Sequence, residues 1–132
     1  MGKGFFQPQH RSKRSALHKQ VKQLLAEAFP GYAIGEEVPM AAGGRKLFVD
    51  LVVKEIQVAV ECHGRQHFQF VEHFHKDAEG FKNAKNRDAA KEQAIRDAGY
   101  SFVVITHDEA DTLTPRRLLQ KIKQAMKESG NG

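Results

Sequence analysis

Three segments of the chain carry the pattern of a helix. The first begins at Ser12 or Ser15, either of which can cap a helix, and runs to about Phe29, just before a Pro-Gly pair. Its apolar residues recur at intervals of three and four, as they do in the closing segment Pro115–Glu128. A more charged helix is predicted over Asn83–Ala98 and ends at the glycine that follows.

Other segments are dense in β-branched and aromatic residues, which is typical of strands. Lys46–Val53 and Ile56–Cys62 are apolar on both faces, and their short connection predicts an antiparallel hairpin covered from both sides. Ser101–Thr106 predicts another buried strand, and Tyr32–Val38 a weaker one. Residues 64–82 have no regular period and predict a functional loop with room for a short helical turn. The order helix, strands, helix, strand, helix predicts an α/β sandwich around a small mixed sheet.

Length and composition restrict the class of protein. The 132 residues provide room for one domain, and 40% hydrophobic with 28% charged residues is a globular balance. The single cysteine, Cys62, excludes an internal disulfide and fits a reducing compartment. No apolar stretch approaches the ~18 residues that cross a bilayer, and the N-terminus lacks a signal peptide's apolar region. We therefore expect a cytoplasmic protein with no membrane partner.

Basic charge is concentrated near the N-terminus. Lys and Arg number 21 against 16 Asp and Glu, and residues 1–22 contain no acidic residue. A clustered basic stripe is typical of a protein with a polyanionic partner, although it could also be a solubilising arm. We divide the chain into a basic flexible arm, residues 1–11, and a single domain, residues 12–132.

Two acidic residues, Asp50 and Glu61, interrupt the apolar strands of the predicted hairpin. A buried carboxylate costs several kcal/mol unless it is paired or bound to a cation. If Val53 faces Val58 across the turn, the register places the two acids opposite each other on one face, and alternation adds His63. A divalent cation would relieve the repulsion, and oxygen ligands suit Mg²⁺. The alternative is a pair of carboxylates satisfied by arginines or backbone amides.

The residues around these acids resemble the core motif of the PD-(D/E)XK nuclease superfamily. Ten residues separate Asp50 from the string ECHGRQHF, which begins at Glu61. It is similar to the E-x-[DH]-G-x-Q-H-F string of the branch that contains the very-short-patch repair (Vsr) endonuclease and phage homing endonucleases. A helix with the string RDAAK at Arg87–Lys91, a Gly-Tyr pair and a buried strand follow in the same order. The resemblance covers roughly residues 12–109 and implies a restriction-endonuclease-like α/β/α sandwich with a small mixed central sheet.

The resemblance implies a metal-dependent DNA endonuclease of the nicking, homing or repair type, with Mg²⁺, or Mn²⁺ in its place, as cofactor. The expected partner is duplex DNA, in the cytoplasm of a bacterium or of a phage-infected cell. One site per chain would nick one strand unless two copies form a homodimer. The expected metal ligands are Asp50, Glu61 and Cys62. The expected catalytic residues are Asp50, Glu61, His63, Gln66, His67 and Lys91. The expected nucleic-acid-binding residues are Arg11, Lys13, Arg14, Arg65 and Arg87.

The sequence departs from the family's pattern in the first helix, where relatives carry S-x-x-E. Here the string is SALH, so His18 stands at the position of the acid, and Glu27, Glu36 or Glu37 would have to replace it. This departure favours a second hypothesis, a non-catalytic nucleic-acid-binding module of the same fold. A third is an RNA-directed nuclease subunit. Four histidines between residues 63 and 75 leave a separate zinc site as an alternative.

The basic stripe makes a first prediction. Because phosphate contacts release counterions, affinity for duplex DNA should fall steeply as salt rises. Replacing Arg11, Lys13 and Arg14 together with alanine should lower the slope of log affinity against log salt by about 2–3. Titration of labelled DNA at several salt concentrations measures the slope, and circular dichroism checks the fold. An unchanged slope would mean that the stripe only aids solubility.

Overall fold

A computed structural model describes residues 15–42, 44–64 and 78–130. Its α-helices are α1 (Ala16–Ala28), α2 (Ala78–Asp97) and α3 (Pro115–Ser129). Its strands are β1 (Ile34–Ala42), β2 (Arg45–Val53), β3 (Val58–His63) and β4 (Ser101–Thr106). Short 3-10 helices cover Lys54–Ile56 and His107–Thr112.

The strands form one mixed sheet in the order β1-β2-β3-β4. β2 is antiparallel to both β1 and β3, whereas β3 and β4 are parallel. The predicted hairpin is therefore confirmed, and β2 and β3 occupy the centre of the sheet. The assumed register of the hairpin is also confirmed, because Val53 pairs with Val58 and the pairing continues to Leu51 with Val60.

Helices cover the sheet on both sides, which confirms the predicted mixed α/β architecture. On one side, α1 and α3 pack against alternate strand residues; the buried core there includes Leu17, Val21, Leu25, Leu51, Val53, Val58, Val60, Ile105, Leu118 and Ile122. On the other side, Ile95 of α2 packs in a smaller core with Val49, Val52, Ala59 and Phe102. Two-sided burial explains why the central strands are apolar at nearly every position.

The helix ends follow local signals in the sequence. Ser15 caps α1, since its hydroxyl accepts the backbone N–H of His18 at 3.1 Å, and Thr114 caps α3 in the same way. α2 leads into Gly99, whose φ of +91° a glycine adopts without strain. The prediction of a loop over 64–82 is wrong at its end, because α2 already begins at Ala78. The charged residues from 78 onward continue the helix, and residues 65–77 lie outside the described part.

The pairing of β1 with β2 is interrupted at one point, which involves one residue of each strand. Their pairing keeps one register along the whole ladder, except that Glu37 and Asp50 form no pair. Glu37 has a φ of +48°, an uncommon conformation for a residue with a side chain. Leu51 packs beside α1 and α3, whereas Val49, two residues away, packs on the side of α2. The alternation of side chains therefore shifts by one residue at Asp50. Residues before and after this point that are two apart face opposite sides of the sheet.

The interruption leaves little space around Gly35. A Cβ at this position would lie 2.7 Å from Cγ2 of Val38, closer than real contacts allow. We therefore expect Gly35→Ala to lower the free energy of unfolding by about 1–3 kcal/mol, measured by urea denaturation. In a Val38→Ala background the clashing methyl group is absent, so the same substitution should cost less than about 0.5 kcal/mol. Equal costs in both backgrounds would contradict this account.

Candidate functional site

Asp50 and Glu61 bridge the central strands at the point where the paired residues of β2 and β3 end. The backbone N–H of Asp50 donates to Oε2 of Glu61 at 2.9 Å. In return, the backbone N–H of Cys62 donates to Oδ2 of Asp50 at 2.8 Å. Each strand thus gives a carboxylate to an amide of the other. One oxygen of each acid therefore accepts a hydrogen bond from a backbone amide. This is the arrangement expected if the two carboxylates are satisfied by the protein itself and not by a cation.

The two carboxylates approach different sides of the sheet, which corrects the prediction that they share one face. Glu61 contacts α2, because its Oε1 accepts a hydrogen bond from Nζ of Lys91 at 2.9 Å. His63 lies on the same side, with Nε2 4.0 Å from that oxygen. Asp50 lies toward α1 instead. The shift by one residue at Asp50 is the cause, since it breaks the alternation on which the prediction relied.

On the α1 side, Asp50 meets His18 and Cys62. One potential ligand atom from each residue lies within 4.8 Å of those of the other two. His18 is only 5% exposed, and its Nε2 is 3.1 Å from Oε1 of Glu36 on β1. Lys22 pairs with the other oxygen of Glu36 at 2.5 Å. The expected ligands Asp50, Glu61 and Cys62 are therefore divided, with Glu61 on one side and the other two beside a histidine.

Burial dominates the electrostatics of the two neighbouring residues of β3. It raises the pKa of Glu61, and the negative charge of Asp50 raises it further, while Lys91 and the Asp50 amide oppose this. Burial also raises the pKa of the Cys62 thiol, with Asp50 and Glu61 adding to the effect. Without a bound cation, Cys62 is therefore a protonated thiol and a poor nucleophile.

The remaining predicted residues fall into two groups. Lys91 reaches the site, whereas Arg87 is exposed one turn earlier on α2. Three acids could replace the acid that is missing from the first helix. Of these, Glu36 reaches the site through its bond to His18, whereas Glu27 bonds to Gln23 on the exposed surface. The predicted residues outside the described part are Arg11, Lys13, Arg14, Arg65, Gln66 and His67. Three of the four histidines of the zinc alternative also lie there, at positions 67, 73 and 75.

His18 is the site residue that the sequence reasoning missed. The family pattern identifies His18 only as the residue that stands in place of an acid. A signal was present, because His18 lies three residues before Val21 and seven before Leu25, on the apolar stripe of α1. A polar residue within such a stripe must find a partner when it is buried.

Two viral proteins are similar in sequence to part of the chain. No family model matches the chain. The chain is 31% identical over 81 residues to "Uncharacterized protein 307L" of Invertebrate iridescent virus 6, a match that covers 61% of this chain and 40% of that protein. It is 30% identical over 69 residues to "Uncharacterized protein 094L" of Frog virus 3 (isolate Goorha), which covers 52% of this chain and 44% of that protein. The chain thus matches less than half the length of each of these curated relatives.

None of the helices that the structure describes is both long and apolar enough to cross a membrane.

The Glu61–Lys91 pair makes a prediction about pH. A carboxyl group whose pKa is raised on folding stabilises the protein below its unfolded pKa, about 4.5, and this contribution is lost as pH rises through the folded pKa. Lys91→Met removes the cation that lowers this pKa. The variant should therefore lose about 1.5–3 kcal/mol of stability at neutral pH and much less below pH 4.5.

Urea denaturation in EDTA across this pH range measures the effect. The control places Lys91→Met in a Glu61→Gln background, where no carboxylate titrates at this position and the cost should be independent of pH. A cost in the wild-type background that does not change with pH would show that Lys91 does not influence Glu61.

Proposed function

We propose that the protein is a metal-dependent nuclease that hydrolyses phosphodiester bonds in DNA. The observation that carries the proposal is the pair of acids at the end of the paired region of the two central strands, where backbone amides link Asp50 and Glu61 and Lys91 bonds to Glu61. Buried charged groups in a sheet core destabilise a fold unless they are compensated, and they are often retained for function. The overall charge of +5 fits a polyanionic substrate.

The residues present fit a divalent cation at Asp50. Its Oδ2 accepts the Cys62 amide, while Oδ1 has no hydrogen-bond donor among the described residues and is left for a metal. Burial, followed by the negative charge of Asp50, raises the pKa of Glu61, so a cation close to this pair of acids would be stabilising. A divalent ion, when bound, polarises a phosphate oxygen and lowers the pKa of a water molecule that attacks phosphorus.

The chain's own residues have separate tasks in this proposal. Asp50 would hold the ion on the α1 side, and the Cys62 amide fixes the orientation of the carboxylate. On the α2 side, Lys91, positioned by Glu61, would attract the negatively charged substrate. His63, with Nε2 4.0 Å from Oε1 of Glu61, lies on that same side and would contact the substrate there.

A non-catalytic nucleic-acid-binding module remains the second candidate, because a specific observation favours it. Both carboxylates already accept backbone amides, and His18 occupies the position where the resembling nucleases have an acid. In this case the bridge between Asp50 and Glu61 would serve only to join β2 and β3. The third hypothesis, an RNA-directed nuclease, is tested by comparing cleavage of single-stranded DNA, duplex DNA, branched DNA and RNA.

The decisive variant is Asp50→Asn, because asparagine keeps an oxygen for the Cys62 amide but loses the charge that binds metal. Wild-type protein should nick supercoiled plasmid with Mg²⁺ or Mn²⁺ and not in EDTA. Losing several kcal/mol of metal-dependent stabilisation should slow the variant by at least about 100-fold. In EDTA it should bind DNA as wild type does and should melt no lower, since a poorly compensated charge has been removed.

The matched control is Asp97→Asn, the same substitution at an exposed residue that bonds to Gln93 near the end of α2. It should cleave like wild type. Normal cleavage by Asp50→Asn would refute the proposal. Binding without cleavage in wild-type protein, on every substrate and with either metal, would favour the non-catalytic module.

A further inference from the structure

The cluster on the α1 side combines three kinds of ligand atom. An imidazole nitrogen of His18, a carboxylate oxygen of Asp50 and the sulfur of Cys62 come from α1, β2 and β3, and they lie within 4.8 Å of one another. We propose that these residues bind a transition-metal ion of the zinc class. The inference shares the ligand Asp50 with the proposed function but does not rest on nuclease activity, and the binding itself needs no nucleic acid.

The chemistry of the ligands selects the metal. Mg²⁺ prefers oxygen ligands in an octahedral arrangement and has little affinity for sulfur. Thiolate and imidazole ligands suit zinc and its neighbours, which accept three protein ligands and leave a fourth position for water or substrate. A tetrahedral site needs ligand atoms about 3.5 Å apart, given metal–ligand bonds of 2.0–2.3 Å. The three side chains therefore need to move together by only about 1 Å.

The surroundings orient the ligands before a metal arrives. Glu36 bonds to one ring nitrogen of His18 at 3.1 Å, so the other nitrogen is left to bind metal. A carboxylate in this position fixes the ring and makes the imidazole a stronger ligand. Lys22 holds Glu36 from its other oxygen, and the Cys62 amide holds Asp50. This second layer of contacts distinguishes the cluster from a chance meeting of polar residues.

Charge also favours the proposal. Binding releases the Cys62 proton to solvent, and the thiolate and the Asp50 carboxylate together then neutralise a divalent ion. His18 is buried, and Cys62 is partly buried and packs against the core beside α1 and α3. A neutral complex is the form that such a site can hold at the least cost in desolvation.

Cobalt(II) is the probe, used with the full chain and no nucleic acid. A cobalt–thiolate bond produces a charge-transfer band in the near ultraviolet, and tetrahedral cobalt gives strong visible bands. Because the chain has one cysteine, the charge-transfer band reports on Cys62 alone, whatever the other histidines bind. We expect saturable bands with one equivalent of Co²⁺, their displacement by Zn²⁺, and a higher melting temperature with either metal.

Substitutions distinguish the residues that bind the metal from the residues that only lie near it. Cys62→Ser should abolish the charge-transfer band, and His18→Gln should abolish the strong visible bands and weaken binding. Glu36→Gln should keep the spectrum but lower the affinity by about 10–100-fold, as expected of a positioning residue. His107→Ala, a change at an exposed histidine outside the cluster, should leave the titration unchanged.

Two results would overturn the inference. One is the absence of a thiolate band in folded wild-type protein; the other is Zn²⁺ binding of equal affinity in wild type and Cys62→Ser. If His18→Gln does not fold, the Glu36→Gln titration takes its place, and an unchanged affinity there would count against the site. Cobalt bands in a protein that never cleaves DNA would support this inference and refute the proposed function. Mg²⁺-dependent cleavage without cobalt bands would support the proposed function and refute this inference.

Discussion

The cost of placing two carboxylates at the centre of a sheet is the constraint on which this molecule depends. Asp50 and Glu61 cannot be left without partners between layers of helix, because an uncompensated buried charge costs more than the stability a small domain has to spare. Reciprocal bonds to backbone amides supply part of the compensation, and Lys91 from α2 supplies more. The layers on both sides are therefore linked electrostatically through the hairpin as well as by their apolar cores.

Regular features of the fold followed from the sequence, because they depend on local rules. The turn between β2 and β3 is short, so one assumed pair fixed the register of the whole hairpin. Ser15 is a good capping residue before an amphipathic stretch, and α1 begins directly after it. Apolar residues on both faces of β3 correctly indicated helices above and below it.

The irregular features could not be obtained in this way. Alternation along a strand assumes an unbroken ladder, and the positive φ of Glu37 has no signal in a sequence with a glutamate there. The shift by one residue at Asp50 therefore separated two acids that the alternation placed together. The start of α2 was missed because a glycine and scattered aromatic residues hide a helical period. The resemblance to PD-(D/E)XK nucleases rests on the motif residues, several of which lie outside the described part of the chain.

The topology also carries a consequence for the order in which the molecule assembles. β2 and β3 are neighbours in the chain, so closing their hairpin costs little conformational entropy. Parallel pairing of β3 with β4 must wait for a connection that includes all of α2, and such distant contacts form more slowly. We therefore expect the nascent hairpin to bring Asp50 and Glu61 together while Lys91 is still absent. For that interval the backbone amides of the hairpin are the partners available to the two acids, so the strand pairing itself has to hold their charges until the later helix arrives.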